Sequence, residues 1–312
     1  MKSVSGRTID AHAKISKLER RRTMTDEEKE ICKKAQEMRL IQAEMSREFP
    51  CYIGSSLSIT DVLAVLYFSV MKVDPEKPKD PDRDILVLSK GHASPALYAA
   101  LHLRGYMPKK NLLLHSTLES PVYYHPSAKI PGIEVSTGSL GHGLNFGIGT
   151  ALAQKQDGRK SRTFVIVGDG ELNEGSNWEA IMSAPAFKLG NLVAIVDRNG
   201  LQANKRTEDL IPIENLKDKW ESFGWRVAVV DGHDVGQLRE VLKISGTPQS
   251  KPLVVIAKTV RNKGISFQED QVDAWNLQLS EEDFQRACAE IRGGIRKSSK
   301  NAKSQSVVGF KE

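Results

Sequence analysis

The sequence predicts an α/β fold in which helices cover both faces of a doubly wound, mostly parallel sheet. Short, continuous runs of β-branched and other apolar residues recur along the chain, and each is bounded by Gly, Asp or Asn. Stretches with helical periodicity separate these runs. Strands buried on both faces of a parallel sheet have this composition, and alternation of strands with helices produces such a sheet.

The N-terminal part is predicted to be helical. A polar extension is expected over residues 1–24, and Thr25 or Asp26 is expected to cap a helix whose apolar face continues to Met45. A second helix is predicted over residues 58–71, where the chain approaches a turn rich in proline and charge.

Strands and helices then alternate. Buried strands are predicted at Ile85–Leu88, Phe164–Val167, Leu192–Val196, Val227–Val230 and Leu253–Ala257. Helices are predicted between the later strands, over residues 177–189 and 235–244. We expect one domain over residues 25–290, followed by a basic, mobile tail over residues 291–312.

Composition excludes several classes of protein. The 312 residues are 39% hydrophobic and 27% charged, as in globular proteins, and no apolar run is long enough to span a membrane. Three scattered cysteines do not suit a disulfide framework or a cysteine zinc site, and the polar N-terminus lacks a secretory signal, so we expect a cytoplasmic protein. Much of the net charge of +6 lies at the two ends, which favours solvated segments over nucleic-acid binding.

The most informative segment is a predicted strand that runs into Gly168-Asp169-Gly170. The glycines let a ligand approach the backbone, and the Asp169 carboxylate lies between them. Alone, this triplet is explained equally well by a tight turn with a capping Asp. Asn199 follows the next strand thirty positions later, about the length of one strand–helix–strand unit. Both side chains can therefore meet at one sheet edge, where Mg²⁺ would accept their oxygens.

This combination of Gly168-Asp169-Gly170 with Asn199 resembles the thiamin diphosphate signature, and its surroundings resemble transketolases. The similarity is greatest to the N-terminal subunit of split transketolases. It runs from about residue 30 to 290 and includes Leu88–Tyr106, Pro131–Lys155, Lys219–Asp234 and Ala257–Phe267. The resemblance implies the diphosphate-binding domain of that family. It also implies thiamin diphosphate and Mg²⁺ as cofactors, with Ca²⁺ or Mn²⁺ as substitutes for the metal.

The resemblance further implies roles for individual residues. The metal ligands of the family correspond to Asp169, Asn199 and the carbonyl of Leu201. Its catalytic residues correspond to His92, His125 and Glu174, the last in a network between the two cofactor sites of the dimer. Cofactor contacts correspond to His92, Gly138, Ser139, Leu140, Asp169, Gly170, Glu171, Asn199 and Asn276. No role is assigned to Cys51, His102, His115 or His233. The role of His142 stays open, because the family often carries Gln at that position.

Two positions depart from the family pattern. Tyr52, before Ile53-Gly54, and Asn276, after Trp275, stand where the family usually carries histidine. Either side chain can form hydrogen bonds, but neither becomes cationic near neutral pH, so proton-dependent roles are lost. We therefore expect a specialised donor or acceptor in place of common sugar phosphates.

The function implied by the resemblance is transfer of a two-carbon ketol unit from a ketose, or its phosphate, to an aldehyde. Whole transketolases continue with a pyrimidine-binding domain, so the resemblance implies a C-terminal partner subunit, an α₂β₂ assembly and no activity of this chain alone. Two alternatives remain open: an acyloin-forming carboligase that uses a 2-oxo acid donor, and a non-catalytic regulatory subunit. A preference for a 2-oxo acid over a ketose as donor would distinguish the carboligase. The intact thiamin diphosphate signature argues against the regulatory subunit.

Overall fold

Five parallel strands form the central sheet of the computed structural model, which describes residues 23–245 and 250–293. In chain order they are β1 (Ile85–Leu88), β2 (Thr163–Gly168), β3 (Leu192–Arg198), β6 (Arg226–Asp231) and β7 (Leu253–Lys258). Their order across the sheet is β1-β2-β3-β7-β6. A separate hairpin consists of β4 (Leu201–Gln202) and β5 (Lys205–Arg206). All the predicted strands are confirmed, with small extensions at their ends.

Helices cover both faces of this sheet, which confirms the predicted doubly wound arrangement. One apolar cluster joins the sheet to α1 (Asp26–Glu48), α3 (Thr60–Val65), α4 (Ser94–Arg104) and α10 (Val235–Ile244). The cluster on the other face includes α6 (Gly143–Gln156), α7 (Gly175–Ala186) and α9 (Leu216–Ser222). The remaining α-helices are α2 (Ile53–Ser58), α5 (Lys109–Leu113), α8 (Thr207–Leu210) and α11 (Glu281–Gly293). Within the described ranges, no helix has the length and apolar character needed to cross a membrane.

The first helix begins where the sequence predicts. Thr25 Oγ1 accepts a hydrogen bond from the Glu28 N–H (3.2 Å), and the Glu28 carboxylate accepts one from the Thr25 N–H (2.7 Å). This capping box satisfies backbone donors that lack an intrahelical partner, and acidic residues there complement the helix dipole. One face of α1 then packs into the first apolar cluster through Ile31, Ala35, Met38, Ile41 and Met45.

The helix predicted over residues 58–71 is confirmed over most of that span, but it is not one continuous α-helix. Helical structure already begins at Ile53, and it is divided into α2, α3 and a π-helical turn at Leu66–Val70. A side-chain hydroxyl lies at the interruption, since Thr60 Oγ1 donates to the Ser56 carbonyl at 3.1 Å and so competes with the backbone ladder. The interruption leaves Ser58 facing the carboxyl end of β3.

Other predicted boundaries need smaller corrections. The helix predicted over residues 177–189 is α7, which starts earlier and ends at Ala186. The helix α10 has the predicted span. Residues 291–293 of the predicted tail belong to the last turn of α11, where Ile291 is buried. The rest of that tail and residues 1–22 of the predicted extension lie outside the described residues.

Candidate cofactor and metal site

The carboxyl ends of four neighbouring strands bring the predicted site residues together. Ser89 and Lys90 follow β1, Asp169 follows β2, Asn199 follows β3 and Thr259 follows β7. The four strands pair in parallel, so their carboxyl ends lie at the same edge of the sheet. Ligands of open α/β sheets bind at this edge.

Buried Asp169 has donors at both carboxylate oxygens. Oδ1 accepts a hydrogen bond from the Gly170 N–H (2.8 Å), the group predicted to meet the diphosphate. Oδ2 accepts from the Gly200 N–H (2.7 Å) and from Arg198 Nη1 (2.9 Å). Burial, and then the charge of Asp197, raises the pKa of Asp169, against the influence of Arg198. Because each oxygen has two lone pairs, Oδ1 retains one for a further ligand.

Asn199 and Leu201 occupy the turn that follows β3. Asn199 Nδ2 donates to Asp197 Oδ2 (2.8 Å), and Asn199 Oδ1 accepts from the Leu201 N–H (3.0 Å). Gly200 between them has a φ of 75°, a conformation that glycine adopts without strain. Because Gly200 also bonds to Asp169, this turn brings the three predicted metal ligands into one region.

The chemistry of these donors fits a hard divalent cation. A carboxylate, an amide and a backbone carbonyl all offer oxygen, which Mg²⁺ and Ca²⁺ prefer. In the part of the chain that the structure describes, no group of three or more His, Cys, Asp or Glu residues has metal-binding geometry. The oxygen set of Asp169, Asn199 and Leu201 is therefore the candidate metal site.

A buried ion pair, which the sequence did not single out, joins the carboxyl ends of β1 and β3. Lys90 and Asp197 are 1% and 0% exposed, and the Lys90 ammonium contacts Asp197 Oδ2. Ser58 Oγ donates to the same oxygen (2.7 Å), and Thr259 donates to Oδ1. Burial alone would raise the pKa of Asp197, but the Lys90 cation and the hydroxyl donors hold it below its ordinary value. The one available signal was the position of Asp197 near the end of β3, two residues before Asn199.

Glu171 is buried, and its carboxylate accepts hydrogen bonds from three separate segments of the chain. Oε1 accepts from the Ser89 hydroxyl and the Gly141 N–H (2.9 Å), and Oε2 accepts from the Gly168 N–H (3.0 Å). Burial raises the pKa of Glu171, although these donors favour its ionised form. The residue thus supports the loops of the site, and its predicted direct contact with a cofactor stays a prediction.

His92 belongs to an aromatic cluster with Tyr52 and Trp275. The His92 ring centroid lies 5.5 Å from that of Tyr52 and 6.3 Å from that of Trp275, and the latter two are 5.1 Å apart. Burial, then the charges of Lys90 and His125, lowers the pKa of His92 to about 3. The imidazole is therefore neutral at physiological pH and has one donor and one acceptor nitrogen.

Tyr52 and Asn276, the two departures from the family pattern, each adjoin one residue of the same backbone bridge. Cys51 and Leu277 form this isolated antiparallel bridge, in which each N–H donates to the other's carbonyl at 3.0 Å. Tyr52 is half-buried and Asn276 is exposed. Of the two, Tyr52 contacts the ring of His92.

The ring of His125 lies against the loop that begins at Gly138. A Cβ on Gly138 would lie 3.0 Å from His125 Cδ2, so a larger residue there would press on the imidazole ring. Partial desolvation lowers the pKa of His125. Ser139 and Leu140 follow Gly138 and precede a residue that Glu171 holds, which keeps them at this sheet edge.

Glu174 lies beside the loop that contains Gly141. It is exposed and directly precedes α7. Its side chain passes Gly141, where a Cβ would lie 2.6 Å from Glu174 Cβ. A network between two cofactor sites needs a second chain, so that role stays a prediction.

Arg261 is a further residue at this edge that the sequence did not single out. It is 1% exposed; Nη1 donates to the Ala203 carbonyl (2.6 Å), whereas Nε has no hydrogen-bond partner among the described residues. Burial lowers the pKa of the guanidinium, against the charges of Asp169 and Asp197. A buried cation with an unsatisfied N–H suits an anionic ligand such as a diphosphate. Its place in the transketolase-like segment Ala257–Phe267 was the available signal.

The residues without an assigned role have other contacts. Backbone carbonyls or a carboxylate lie 2.8 to 2.9 Å from a ring nitrogen of His102, His115 and His233. Burial raises the pKa of Cys51 to about 12, which does not favour a nucleophile. His142 is exposed and lines a surface groove along α6.

Known proteins resemble this chain over most of its length. Residues 34–293 match the family described as "Transketolase, thiamine diphosphate binding domain". The chain is 43% identical over 244 residues to the 6-deoxy-6-sulfo-D-fructose transketolase subunit SqwG of Clostridium sp. (strain MSTE9), covering 77% of this chain and 88% of that protein. It is 39% identical over 247 residues to an apulose-4-phosphate transketolase subunit of Phocaeicola vulgatus, covering 79% and 88% respectively.

Solved structures of transketolases have the same fold. The transketolase from Campylobacter jejuni superposes with a TM-score of 0.79 at 31% identity, covering 84% of this chain and 42% of that one. Human transketolase is 39% identical over 227 residues, which cover 71% of this chain and 35% of the human protein. The chain thus spans less than half the length of these transketolases but most of the two subunits.

Proposed function

Because the chain belongs to the transketolase family of thiamine diphosphate-binding domains, we propose that it is the diphosphate-binding subunit of a two-component, transketolase-like transferase. The enzyme transfers a two-carbon ketol unit from a ketose or ketose phosphate to an aldehyde. The observation that carries this proposal is the meeting of Asp169, Asn199 and Leu201 at one sheet edge, beside the buried cation of Arg261. The two relatives named as subunits support a two-component enzyme with a specialised donor.

Different residues of the chain would bind the metal and the diphosphate at this sheet edge. Asp169, Asn199 and the Leu201 carbonyl would hold Mg²⁺, while Arg261 and the loop of residues 138–141 would hold the diphosphate. When bound, thiamin diphosphate supplies the nucleophilic carbon and the electron sink for C–C cleavage. Neutral His92 and, at the outer side, His125 would donate or accept protons near that carbon.

A second subunit would complete the enzyme. Residues 25–290 would form the diphosphate-binding domain, and the partner would carry the pyrimidine-binding domain, in an α₂β₂ assembly. The two relatives that are named as subunits, each covered over 88% of its length, support this division. Glu174, exposed before α7, would contribute to the network between the two cofactor sites. We place the assembly in the cytoplasm and expect no nucleic-acid or membrane partner.

The proposal is tested by metal-dependent cofactor binding. Asp169→Ala, in the complex with the co-purifying partner, should abolish the retention of thiamin diphosphate in the presence of Mg²⁺, measured by isothermal titration calorimetry. Asp209→Ala, which removes an exposed carboxylate on α8, is the matched control and should bind as the unaltered complex does. Unchanged retention in Asp169→Ala would place the metal elsewhere.

The partner and the donor are tested separately. Native purification of the chain, followed by mass spectrometry, should recover a stoichiometric subunit of similar size with a pyrimidine-type thiamin domain. Assays of that complex should then show turnover with a ketose donor rather than with a 2-oxo acid. Purification of the chain alone, without binding of thiamin diphosphate and Mg²⁺, would instead support a regulatory subunit.

A further inference from the structure

Asp197 is a buried acid outside the predicted ligand set, yet it contacts a predicted ligand. Its side chain is 0% exposed, and its two oxygens accept from four side chains. Thr259 donates to Oδ1, and Oδ2 receives the other three bonds, from Ser58 (2.7 Å), Asn199 (2.8 Å) and Lys90. An ionised carboxylate can satisfy this many donors, whereas an amide or a protonated acid would lose an acceptor.

The hydrogen bond between Asn199 and Asp197 determines which end of the Asn199 amide faces Asp197. A primary amide donates from its nitrogen and accepts at its oxygen, whereas an ionised carboxylate only accepts. The amide nitrogen of Asn199 must therefore face Asp197. The amide oxygen then faces the opposite way, and Asn199 Oδ1 accepts from the Leu201 N–H at 3.0 Å. The preceding N–H, that of Gly200, donates to Asp169 at 2.7 Å, so the oxygen is on the side of the predicted metal ligands.

We propose that Asp197 is a positioning residue, which orients the Asn199 amide so that its oxygen rather than its nitrogen is presented to the metal. This inference rests on the proposed function, because it assumes a divalent cation at Asp169 and Asn199. Partners of ligating side chains determine ligand orientation in other metal sites, and their loss typically weakens metal binding by about 10- to 100-fold.

Lys90 balances the charge of the Asp197 carboxylate that orients Asn199. Its ammonium contacts Asp197 and also donates to the Ser55 carbonyl at 3.0 Å. Both members of the ion pair are buried, so each is stabilised by direct contact with the other rather than by water.

The test measures metal binding directly. Mn²⁺ serves as the probe, and electron paramagnetic resonance reports free Mn²⁺ during titration of the full chain with its co-purified partner and thiamin diphosphate. Asp197→Asn should weaken Mn²⁺ binding by about 30-fold. The matched control is Asp84→Asn, because Asp84 is also buried and paired with an arginine, but it precedes β1 at the opposite edge of the sheet. This control should bind Mn²⁺ as the unaltered complex does.

Two further variants separate orientation from general stability. Asn199→Asp leaves Asp197 intact but places two acceptors face to face, so Mn²⁺ binding should weaken although a carboxylate is ordinarily a good metal ligand. The reciprocal double variant, Asp197→Asn with Asn199→Asp, restores a donor opposite an acceptor. It should recover Mn²⁺ affinity to within about 5-fold of the unaltered complex.

The outcomes distinguish the two proposals. If the unaltered complex binds Mn²⁺ and thiamin diphosphate, and Asn199→Asp binds as tightly as it does, the orienting role of Asp197 is overturned. Failure of the double variant to recover affinity above that of Asp197→Asn would also overturn it. Absence of binding in the unaltered complex would overturn the proposed function, and this inference with it.

Discussion

The phenol ring of Tyr52 lies edge-on against the imidazole of His92, with ring centroids 5.5 Å apart and planes inclined at 70°. Trp275 packs against Tyr52, at a centroid distance of 5.1 Å. Contacts of this kind contribute about 1 kcal/mol beyond the apolar area they bury. A residue that departs from the family pattern therefore helps to hold a predicted catalytic side chain.

The ring of Tyr52, rather than its hydroxyl, should support His92. Tyr52→Ala removes the ring contact and should lower kcat/KM of the assembled enzyme by about 10- to 100-fold, since small displacements of catalytic groups are costly. Tyr52→Phe keeps the ring and should lower kcat/KM by less than about 3-fold. Steady-state kinetics with a ketose donor measures both. An equal loss in the two variants would assign the function to the hydroxyl.

His92 should make the chain sensitive to acid. Its pKa is about 3 when folded, but the unfolded chain has an ordinary histidine pKa near 6.5. Between these values the unfolded state binds the additional proton, so the free energy of unfolding falls as pH decreases through this window. Between pH 7 and pH 5, the free energy of unfolding should therefore fall by about 2 kcal/mol less in His92→Asn than in the unaltered chain. Urea unfolding at the two pH values measures the difference, and parallel losses in both proteins would contradict it.

Arg198 should control how strongly protons compete with the metal. Its guanidinium lies 2.9 Å from Asp169 Oδ2 and opposes the rise in the pKa of Asp169. Arg198→Gln removes that cation, so a larger fraction of Asp169 is protonated at low pH. The Kd for Mn²⁺ should therefore increase more steeply from pH 8 to pH 6, by about 5-fold beyond the change in the unaltered complex.

The pH dependence, rather than Kd at one pH, is the readout for Arg198. Loss of a cation also removes repulsion of the metal, and that effect does not depend on pH. Arg206→Gln is the control, because Arg206 also pairs with an aspartate, Asp270, but both members of this pair are exposed. Identical pH profiles for Arg198→Gln and this control would show that Arg198 does not influence protonation of Asp169.

Two glycines should respond to alanine in opposite ways. Gly141 has a φ of 87°, and an added Cβ would lie 2.5 Å from Ser176 Oγ, so Gly141→Ala should destabilise the chain by about 2 kcal/mol. Gly149 lies within α6, and no atom of the described residues lies within 4 Å of an added Cβ. Gly149→Ala should stabilise the chain by about 0.5 to 1 kcal/mol through helix propensity. Thermal unfolding of each variant measures both effects. Destabilisation by Gly149→Ala would contradict the open space found around this position.

Much of the fold could be predicted because its strands have no exposed face. Runs such as Leu192–Val196 are apolar throughout, and only a covered parallel sheet accommodates several of them. The prediction of one continuous helix missed the interruption near Ser58, where the Thr60 hydroxyl bonds to the Ser56 carbonyl. Apolar periodicity does not report such local competition, because the spacing of buried residues hardly changes across the interruption.

The candidate site could be predicted only in part. Asp169 and Asn199 were accessible because their separation matches one strand–helix–strand unit and both follow strands. Lys90, Asp197 and Arg261 were not singled out, because charged residues are ordinarily exposed and their burial depends on partners distant in the chain. The strand order brings those partners together, and no local pattern encodes it.

By itself, the sequence determined the α/β class, the sheet edge that carries the site and the oxygen donors found there. The tertiary structure alone decided how those donors point: which oxygen of Asp169 can accept a further ligand, and which side of the Asn199 amide faces Asp197. It also brought the segments that carry Tyr52 and Asn276 together through the bridge between Cys51 and Leu277. The physical reason is that composition and spacing determine which groups reach an edge, whereas hydrogen bonds and packing from distant segments determine their orientation.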